Sequence, residues 1–276
     1  MYNIIMTVQE ICINIDRSGS MMGKEADTVG GINCMLNELK ESKNDEDTIR
    51  VSIKLFDHEE IIKKNRVDIS EIEEFPLNDF IPRGQTALLD SLGNSLRYFM
   101  EKKLMNPDEY DTCLIYLATD GYENCSKNHT NSDIKKLIKN AEEKYNIKVI
   151  YLGANQDAIL EANNIGISSN TAINYDETSD AVNAVYRSAA AVASRNRSDP
   201  SKQLSFNDVE RQSSQPSQQF SQNNNNVPEI TRQNNIQAGL PSPINNNITM
   251  PLVTRQNTFM LPPPPPTPMV RQNTSA

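Results

Sequence analysis

Five residues with oxygen-bearing side chains stand out by type and spacing. Asp16, Ser18 and Ser20 alternate in Asp16-Arg17-Ser18-Gly19-Ser20, directly after the apolar run that ends at Ile15. Thr86 follows Arg83-Gly84-Gln85 ahead of a helical pattern, and Asp120 follows the apolar run Cys113 to Ala118 and Thr119. Two carboxylates and three hydroxyls, with no His or Cys among them, make a donor set for a hard divalent cation. Mg²⁺ or Mn²⁺ fits, since both favour octahedral oxygen coordination and keep waters. The alternation lets three side chains converge, and Gly19 permits the tight turn this needs. Two carboxylates only balance the ion's charge, which leaves it electrophilic toward an anionic oxygen brought from outside. Asp, Ser and Thr are also turn and N-cap residues, so Asp16-x-Ser18-x-Ser20 alone fits a helix cap equally well. Thr86 and Asp120, each at its own strand-to-helix junction, favour the metal.

The elements that must position these residues follow from periodicity. Val8 to Ile15 reads as a strand, and Val29, Ile32, Leu36 and Leu39 mark one face of a helix. Ile49 to Phe56 is a second strand and Glu60 to Asp68 a short edge strand, followed by a helix carrying Leu89, Leu92, Leu96 and Met100. Thr112 to Thr119 is nearly unbroken apolar sequence, as expected of a strand covered on both faces. A helix with Ile134, Ile138 and Ala141 comes next, then a strand over Lys148 to Leu152, a short helix near Asp157, a brief strand at Thr171 to Asn174 and a last helix with Val182, Val185, Ala189 and Val192. Alternation of this kind predicts an α/β fold, a doubly wound, mostly parallel, Rossmann-like sheet flanked by helices. Such folds bind ligands outside the carboxyl ends of their strands, where Asp16 and Asp120 fall.

Composition divides the chain after Ser198. Residues 1–198 hold 22 basic and 32 acidic side chains, a formal charge of 22 − 32 = −10, and nearly all the apolar runs. Residues 199–276 hold 12 of the 15 prolines, 22 Asn and Gln and only 9 charged residues, a composition expected of a disordered tail. A domain ten charges negative repels phosphate backbones, which argues against nucleic-acid binding. The apolar runs are strand-sized, too short to span a bilayer, and residues 1–6 lack the basic and long apolar stretches of a signal peptide. A cytoplasmic protein with no membrane segment is expected. Cys12, Cys34 and Cys113 sit in strand or helix patterns without metal-ligand spacing and read as small buried hydrophobes. His58 and His129 fall in polar loops and read as exposed.

Asp16-Arg17-Ser18-Gly19-Ser20-Met21, Thr86 and Thr119-Asp120-Gly121 together resemble the metal-ion-dependent adhesion site of the von Willebrand factor type A domain family. The resemblance spans about residues 6 to 195 and includes all five motif positions. Through Arg83-Gly84-Gln85-Thr86-Ala87-Leu88-Leu89-Asp90, Asp120-Gly121-Tyr122-Glu123-Asn124 and Leu152-Gly153-Ala154-Asn155 it is most similar to stand-alone intracellular and phage-borne members. The resemblance implies that Ser18, Ser20 and Thr86 bind Mg²⁺ through their hydroxyls, with Asp16 and Asp120 bound directly or through water. It also implies a protein partner whose acidic side chain fills the sixth position, and a binding module rather than an enzyme.

Two other functions remain open at this stage: a metal-dependent phosphohydrolase with Asp16 as nucleophile, and an accessory subunit of an AAA-type ATPase or stress-response complex. The phosphohydrolase is disfavoured because Ser18 replaces the second carboxylate of an Asp-x-Asp pair and no Lys or His base is evident near the motifs. Glu123, Asn124, Asp90 and Asp57 are candidates for orienting the ligands, with solvated roles as the alternative. In the tail, Arg-x-x-Ser/Thr matches make Ser214, Thr258 and Thr274 candidate phosphosites for a 14-3-3-type reader, although such short matches arise often by chance. Pro262 to Pro266 suits an SH3- or WW-type groove or a stiff spacer.

Overall fold

The computed structural model describes residues 7–154 and 157–215. Its sheet has six strands in the order β3-β2-β1-β4-β5-β6. These are β1 (Val8–Asp16), β2 (Thr48–Phe56), β3 (Glu60–Asp68), β4 (Thr112–Thr119), β5 (Ile147–Gly153) and β6 (Ala172–Asn174). All neighbours pair in parallel except β3, which runs antiparallel to β2 at the edge. The expected doubly wound α/β fold is the fold observed.

Helices α1 (Glu25–Glu41) and α5 (Ser179–Ser198) cover one face, and α2 (Leu88–Met105), α3 (Asn131–Tyr145) and α4 (Ala158–Asn164) the other. Strand alternation sorts the side chains between the two layers. Ile11, Ile13 and Ile15 of β1, with Leu114, Tyr116 and Ala118 of β4, enter the α1/α5 core. Cys12, Cys113, Ile115 and Leu117 enter the α2/α3/α4 core. Asp16 and Thr119 share the parity of this second set, so both emerge on the α2 side. Because β1 leads on to β2 on one side and its neighbour β4 leads on to β5 on the other, the connections from these two strands leave in opposite directions, and a crevice opens at their carboxyl ends.

The structure continues past the expected domain boundary at Ser198. Leu204 and Phe206 are each 5% exposed, and a helix α6 (Asp208–Ser213) follows, opened by a reciprocal cap between Asn207 and Glu210. Glu210 pairs with Arg195 at 2.7 Å, Arg211 donates to the carbonyls of Ala172 and Ser169, and the Asp176 N–H donates to the Ser214 carbonyl at 2.8 Å. The low apolar content of residues 199–276 as a whole conceals two apolar anchors close to its start. Residues 216–276 lie outside the described residues. Among the described residues, no helix is long and apolar enough to cross a membrane.

Candidate functional site

The carboxyl end of β1 delivers Asp16 into the crevice with no solvent exposure. Its Oδ1 accepts the Ser18 N–H at 2.7 Å, an Asx-type turn that bends the chain back over the strand end. Its Oδ2 accepts the Thr119 hydroxyl at 2.7 Å from the neighbouring strand. Burial raises the Asp16 carboxyl above its ordinary range; the Thr119 and Ser18 hydrogen bonds oppose this, and the nearby Asp120 adds to it. A short 3-10 turn, Gly19–Met21, then presents Ser20 at the surface. Ser18 Oγ lies 3.0 Å from Ser20 Oγ, and Ser20 Oγ donates to Asp120 Oδ1 at 2.6 Å.

Thr86 arrives from the loop before α2 and is held at both backbone polar atoms. Its N–H donates to Asn124 Oδ1 at 2.9 Å, and its carbonyl accepts the Asn124 N–H at 3.0 Å. Its position relative to the other ligands is fixed around Gly121. A Cβ placed on that glycine would stand 3.3 Å from Ser20 Oγ, 3.6 Å from Thr86 Oγ1 and 3.8 Å from Asp16 Oδ2. Oxygens from two separate segments, the Asp16–Ser20 turn and the Thr86 loop, therefore converge beside a third on one small volume that a larger residue at 121 would fill. Ser18 and Asp120 join through Ser20, so all five expected ligand residues lie in one connected cluster. An all-oxygen cluster running from buried Asp16 to exposed Ser20 fits a divalent cation reached from solvent.

The four supporting candidates have distinct parts. Asn124 clamps Thr86, as described. Glu123 sits at the start of α2, accepting from the Leu89, Cys125 and Ser126 N–H groups at 2.9, 2.9 and 2.7 Å and from the Ser126 hydroxyl at 2.7 Å. A carboxylate there also favours the helix dipole. Asp90 gathers the N–H groups of Lys127, Asn128 and His129 at 2.8, 2.9 and 3.0 Å. Burial alone would raise the Asp90 carboxyl, but these donors and the His129 ring hold it below its ordinary range. Asp57, also with no exposure, meets Arg17 at 3.0 Å and Arg83 at 2.9 Å, while its carbonyl accepts the Ala87 N–H at 2.9 Å. It thereby ties the Asp16–Ser20 turn to the Thr86 loop.

Asp57, His58 and Glu59 bring possible ligand atoms within 4.8 Å of one another. Asp57 Oδ2 is already taken by the two arginines and Oδ1 by the Glu59 N–H at 2.6 Å, and Glu59 itself pairs with Arg83. The arginines occupy the place a cation would take.

Three expectations need correction. A lysine does reach the site: Lys24 Nζ lies 2.6 Å from Asp120 Oδ2 and 2.6 Å from Glu177 Oε1. Burial works against its charge, but these two carboxylates outweigh burial and raise its pKa. Lys24 is only four residues past Ser20, on the turn leading into α1, yet its direction is set by tertiary packing that spacing does not reveal. His129 is not exposed, because its ring packs over Gly93 and its side chain, 6% exposed, meets Asp90 at 3.2 Å. Ser214, a candidate phosphosite, has no exposure and donates to the Glu210 carbonyl at 2.9 Å, so no kinase reaches it while α6 is docked. Thr258 and Thr274 lie outside the described residues, as does the 262–266 proline run.

No protein-family model and no curated protein matches the sequence. Solved structures do. Proximal thread matrix protein 1 from the mussel byssus, in a form described as having a zinc-occupied MIDAS motif, is 17% identical with a TM-score of 0.51, over 68% of this chain and 48% of that one. The PilB minor pilin from Streptococcus sanguinis is 14% identical with a TM-score of 0.53, over 72% and 64%. The pilus adhesin SpaC from Lactobacillus rhamnosus GG is 14% identical with a TM-score of 0.51, over 71% and 31%. The chain thus spans less than two thirds of each of these proteins. At such identities the likeness concerns the fold, which is von Willebrand factor type A-like.

Proposed function

We propose that this chain is a protein-binding module dependent on Mg²⁺ or Mn²⁺, which engages an acidic side chain of its partner. The observation that carries the reading is the convergence of Asp16, Ser20 and Thr86 oxygens beside Gly121, with Ser18 and Asp120 joined to them. Ser18, Ser20 and Thr86 would hold the ion through their hydroxyls, and Asp16 and Asp120 directly or through water. A divalent ion in that place supplies a coordination position for an outside carboxylate. The protein's own part is to orient these oxygens, through Thr119 on Asp16, Asn124 on Thr86 and Asp57 on the surrounding turns. Exposed apolar side chains rise from the same loops: Met22 just after Ser20, Ile81 before the Thr86 loop and Tyr122 after Gly121. Exposed apolar side chains of this kind suit contact with a protein surface. The surplus negative charge of residues 1–198 favours a partner that sets one Asp or Glu in a neutral or basic surface. A pilus adhesin and a zinc-occupied site among proteins of similar fold support binding over catalysis. In this reading the protein works in the cytoplasm, and Pro262–Pro266 with the Arg-x-x-Thr segments of the tail recruits a second partner.

Thermal unfolding in EDTA and in Mg²⁺, Mn²⁺ or Zn²⁺ tests the site. A bound ion stabilises the folded state by RT ln(1 + [L]/Kd), about 2.7 kcal/mol at a hundredfold excess over Kd. We expect that shift with Mg²⁺ and Mn²⁺ in the wild type, no special advantage for Zn²⁺, and loss of the shift in Thr86→Ala. Equal shifts in wild type and an Asp16→Ala, Asp120→Ala variant would sink the proposal.

A further inference from the structure

Next to the converging oxygens, between the α2 amino terminus and α4, lies a cavity of about 240 Å³. Gly121 borders both, so the cavity begins where the proposed ligand cluster ends. Its walls include Leu88 and Ile165, the rings of Tyr122 and Tyr151, and the carboxylates of Glu123 and Glu161. The two carboxylates differ. Glu123 is occupied by the three N–H groups and one hydroxyl at the start of α2. Glu161 is half-buried on α4 and makes no side-chain hydrogen bond or ion pair among the described residues. Tyr151 is 2% exposed, yet its hydroxyl too has no hydrogen-bond partner among the described residues. Burial, reinforced by the charge on Glu161, keeps that phenol neutral by raising its pKa.

An unpaired carboxylate, a hydroxyl without a hydrogen-bond partner among the described residues and two aromatic rings around one cavity specify a cation. The carboxylate supplies charge, the ring faces attract a guanidinium or ammonium group, and the apolar wall accepts an alkyl stem. An anion would meet two glutamates. A purely apolar group would bury Glu161 and the Tyr151 hydroxyl without compensation. We propose that this cavity is a cation subsite, filled by an arginine or lysine side chain of the same partner whose acidic residue meets the metal. The subsite's link to the partner rests on the function proposed above, whereas its preference for a cation does not. Recognition then reads two opposite charges in fixed relation. That would let an acidic domain select a partner segment of no net charge.

Two experiments on the full chain separate these layers. In the first, acetyl-arginine N-methylamide, a cation without a carboxylate, is titrated into ¹⁵N-labelled protein in EDTA, with the neutral citrulline isostere as control. The amides of Tyr122, Tyr151 and Glu161 should shift, with the citrulline probe at least tenfold weaker and Glu161→Gln reduced to the citrulline level at unchanged melting temperature. Equal effects of the two probes, shifts scattered over the acidic surface, absent shifts, or indifference to Glu161→Gln would overturn the subsite. In the second, a random nine-residue peptide library is panned in Mg²⁺ on wild type and Glu161→Gln. Peptides carrying an acid together with Arg or Lys, the basic residue lost on the variant, would bear out the proposal. Acid enriched without base would overturn the subsite's role and leave the metal reading standing. Base enriched without acid, surviving EDTA, would keep the cation site and defeat the metal reading. Enrichment of neither would overturn the subsite as a partner contact.

Discussion

Asp16 and Asp57 stand at the ends of neighbouring parallel strands, both fully buried, and are satisfied in opposite ways. Asp57 meets two guanidinium groups, from Arg17 and Arg83. Asp16 meets hydroxyls and a backbone N–H, and the charged influence on it is another carboxylate, Asp120. The amino-terminal side of the sheet repeats the closed pattern, with Glu10 paired to Arg50 and Arg66, and Asp47 to Arg197. Where the fold needs a buried carboxylate for its own architecture, it supplies an arginine. Where it leaves the carboxylate among hydroxyls, as at Asp16, negative charge remains that Lys24, reaching Asp120, offsets only in part and that a cation from outside would balance. Low-dielectric surroundings make this contrast costly to maintain, and it supports the proposed site as distinct from a strut.

The strongest way to break the comparison is to exchange the roles. Asp57→Ala strands two arginines, one of them 5% exposed, and removes the tie between two loops. Loss of one partner of a buried pair costs about 3–5 kcal/mol, and we expect that loss in denaturant unfolding with or without metal. Asp16→Asn should behave in the opposite sense. It removes charge that burial already disfavours, so the metal-free protein should hold or slightly gain stability while the Mg²⁺-induced shift disappears. Equal destabilisation by the two substitutions would erase the distinction between strut and site.

A second contrast sets residues 199–215 against the sequence beyond them. Truncation after Ser198 removes Leu204, Phe206 and the α6 contacts with α5 and β6. Burying a large apolar side chain contributes about 1.5–3 kcal/mol, so a loss of about 2–4 kcal/mol is expected after allowing for the order the segment gives up. Truncation after Gln215 should leave the unfolding midpoint unchanged, because what it removes is poor in apolar residues. A common midpoint for both truncations would show α6 to be energetically idle.

Asp90 is a milder case of a carboxylate satisfied without arginine, here by backbone N–H groups. Since its folded pKa is depressed, its contribution is fully present above the ordinary carboxylate range and is lost as pH falls through that depressed folded value. Asp90→Asn should cost about 1.5–3 kcal/mol at neutral pH, the range for hydrogen bonds to charged groups, and flatten the acid limb of stability against pH. An unaltered acid limb would assign that limb to other carboxylates.

Much of this was legible from residue order. Apolar runs leading to Asp16 and Asp120 announced strands whose carboxyl ends meet at one crevice, and alternation in Asp-x-Ser-x-Ser announced convergence. The edge strand was legible at Glu60–Asp68, but not its irregular register, where Arg66 adopts a φ of 54° and donates its N–H to Ser52 Oγ. Long-range side-chain pairing stayed hidden for the same reason: Lys24 to Glu177, Asp57 to Arg83 and Asp90 to His129 join loops that only tertiary packing brings together. Composition misled at residue 198, since averaging over the tail diluted Leu204 and Phe206 with Asn, Gln and Pro.

Lys24 offers the finest test of the open-site argument, because it is the one cation the described chain places on the ligand cluster. Its ammonium shares Asp120 with whatever cation the site takes, and its other contact, Glu177, is exposed and can hold it aside. Replacement by methionine keeps most of the stem's packing and removes the competing charge, so Mg²⁺ should bind more tightly. Lys24 is about a third exposed, and solvent screening limits such pairs to about 0.2–1 kcal/mol. That range converts to between about 1.4-fold and 5-fold in Kd, within reach of calorimetric titration at low salt. The gain should shrink as ionic strength rises, because screening weakens the lysine's hold on Asp120 in the wild type. Glu177→Gln should act in the reverse direction, freeing the ammonium to bear on Asp120 alone and weakening Mg²⁺ binding. If Lys24→Met weakens metal binding instead, the lysine is a strut for Asp120 of the kind the arginines are for Asp57, and the cluster is less open than its hydroxyls suggest.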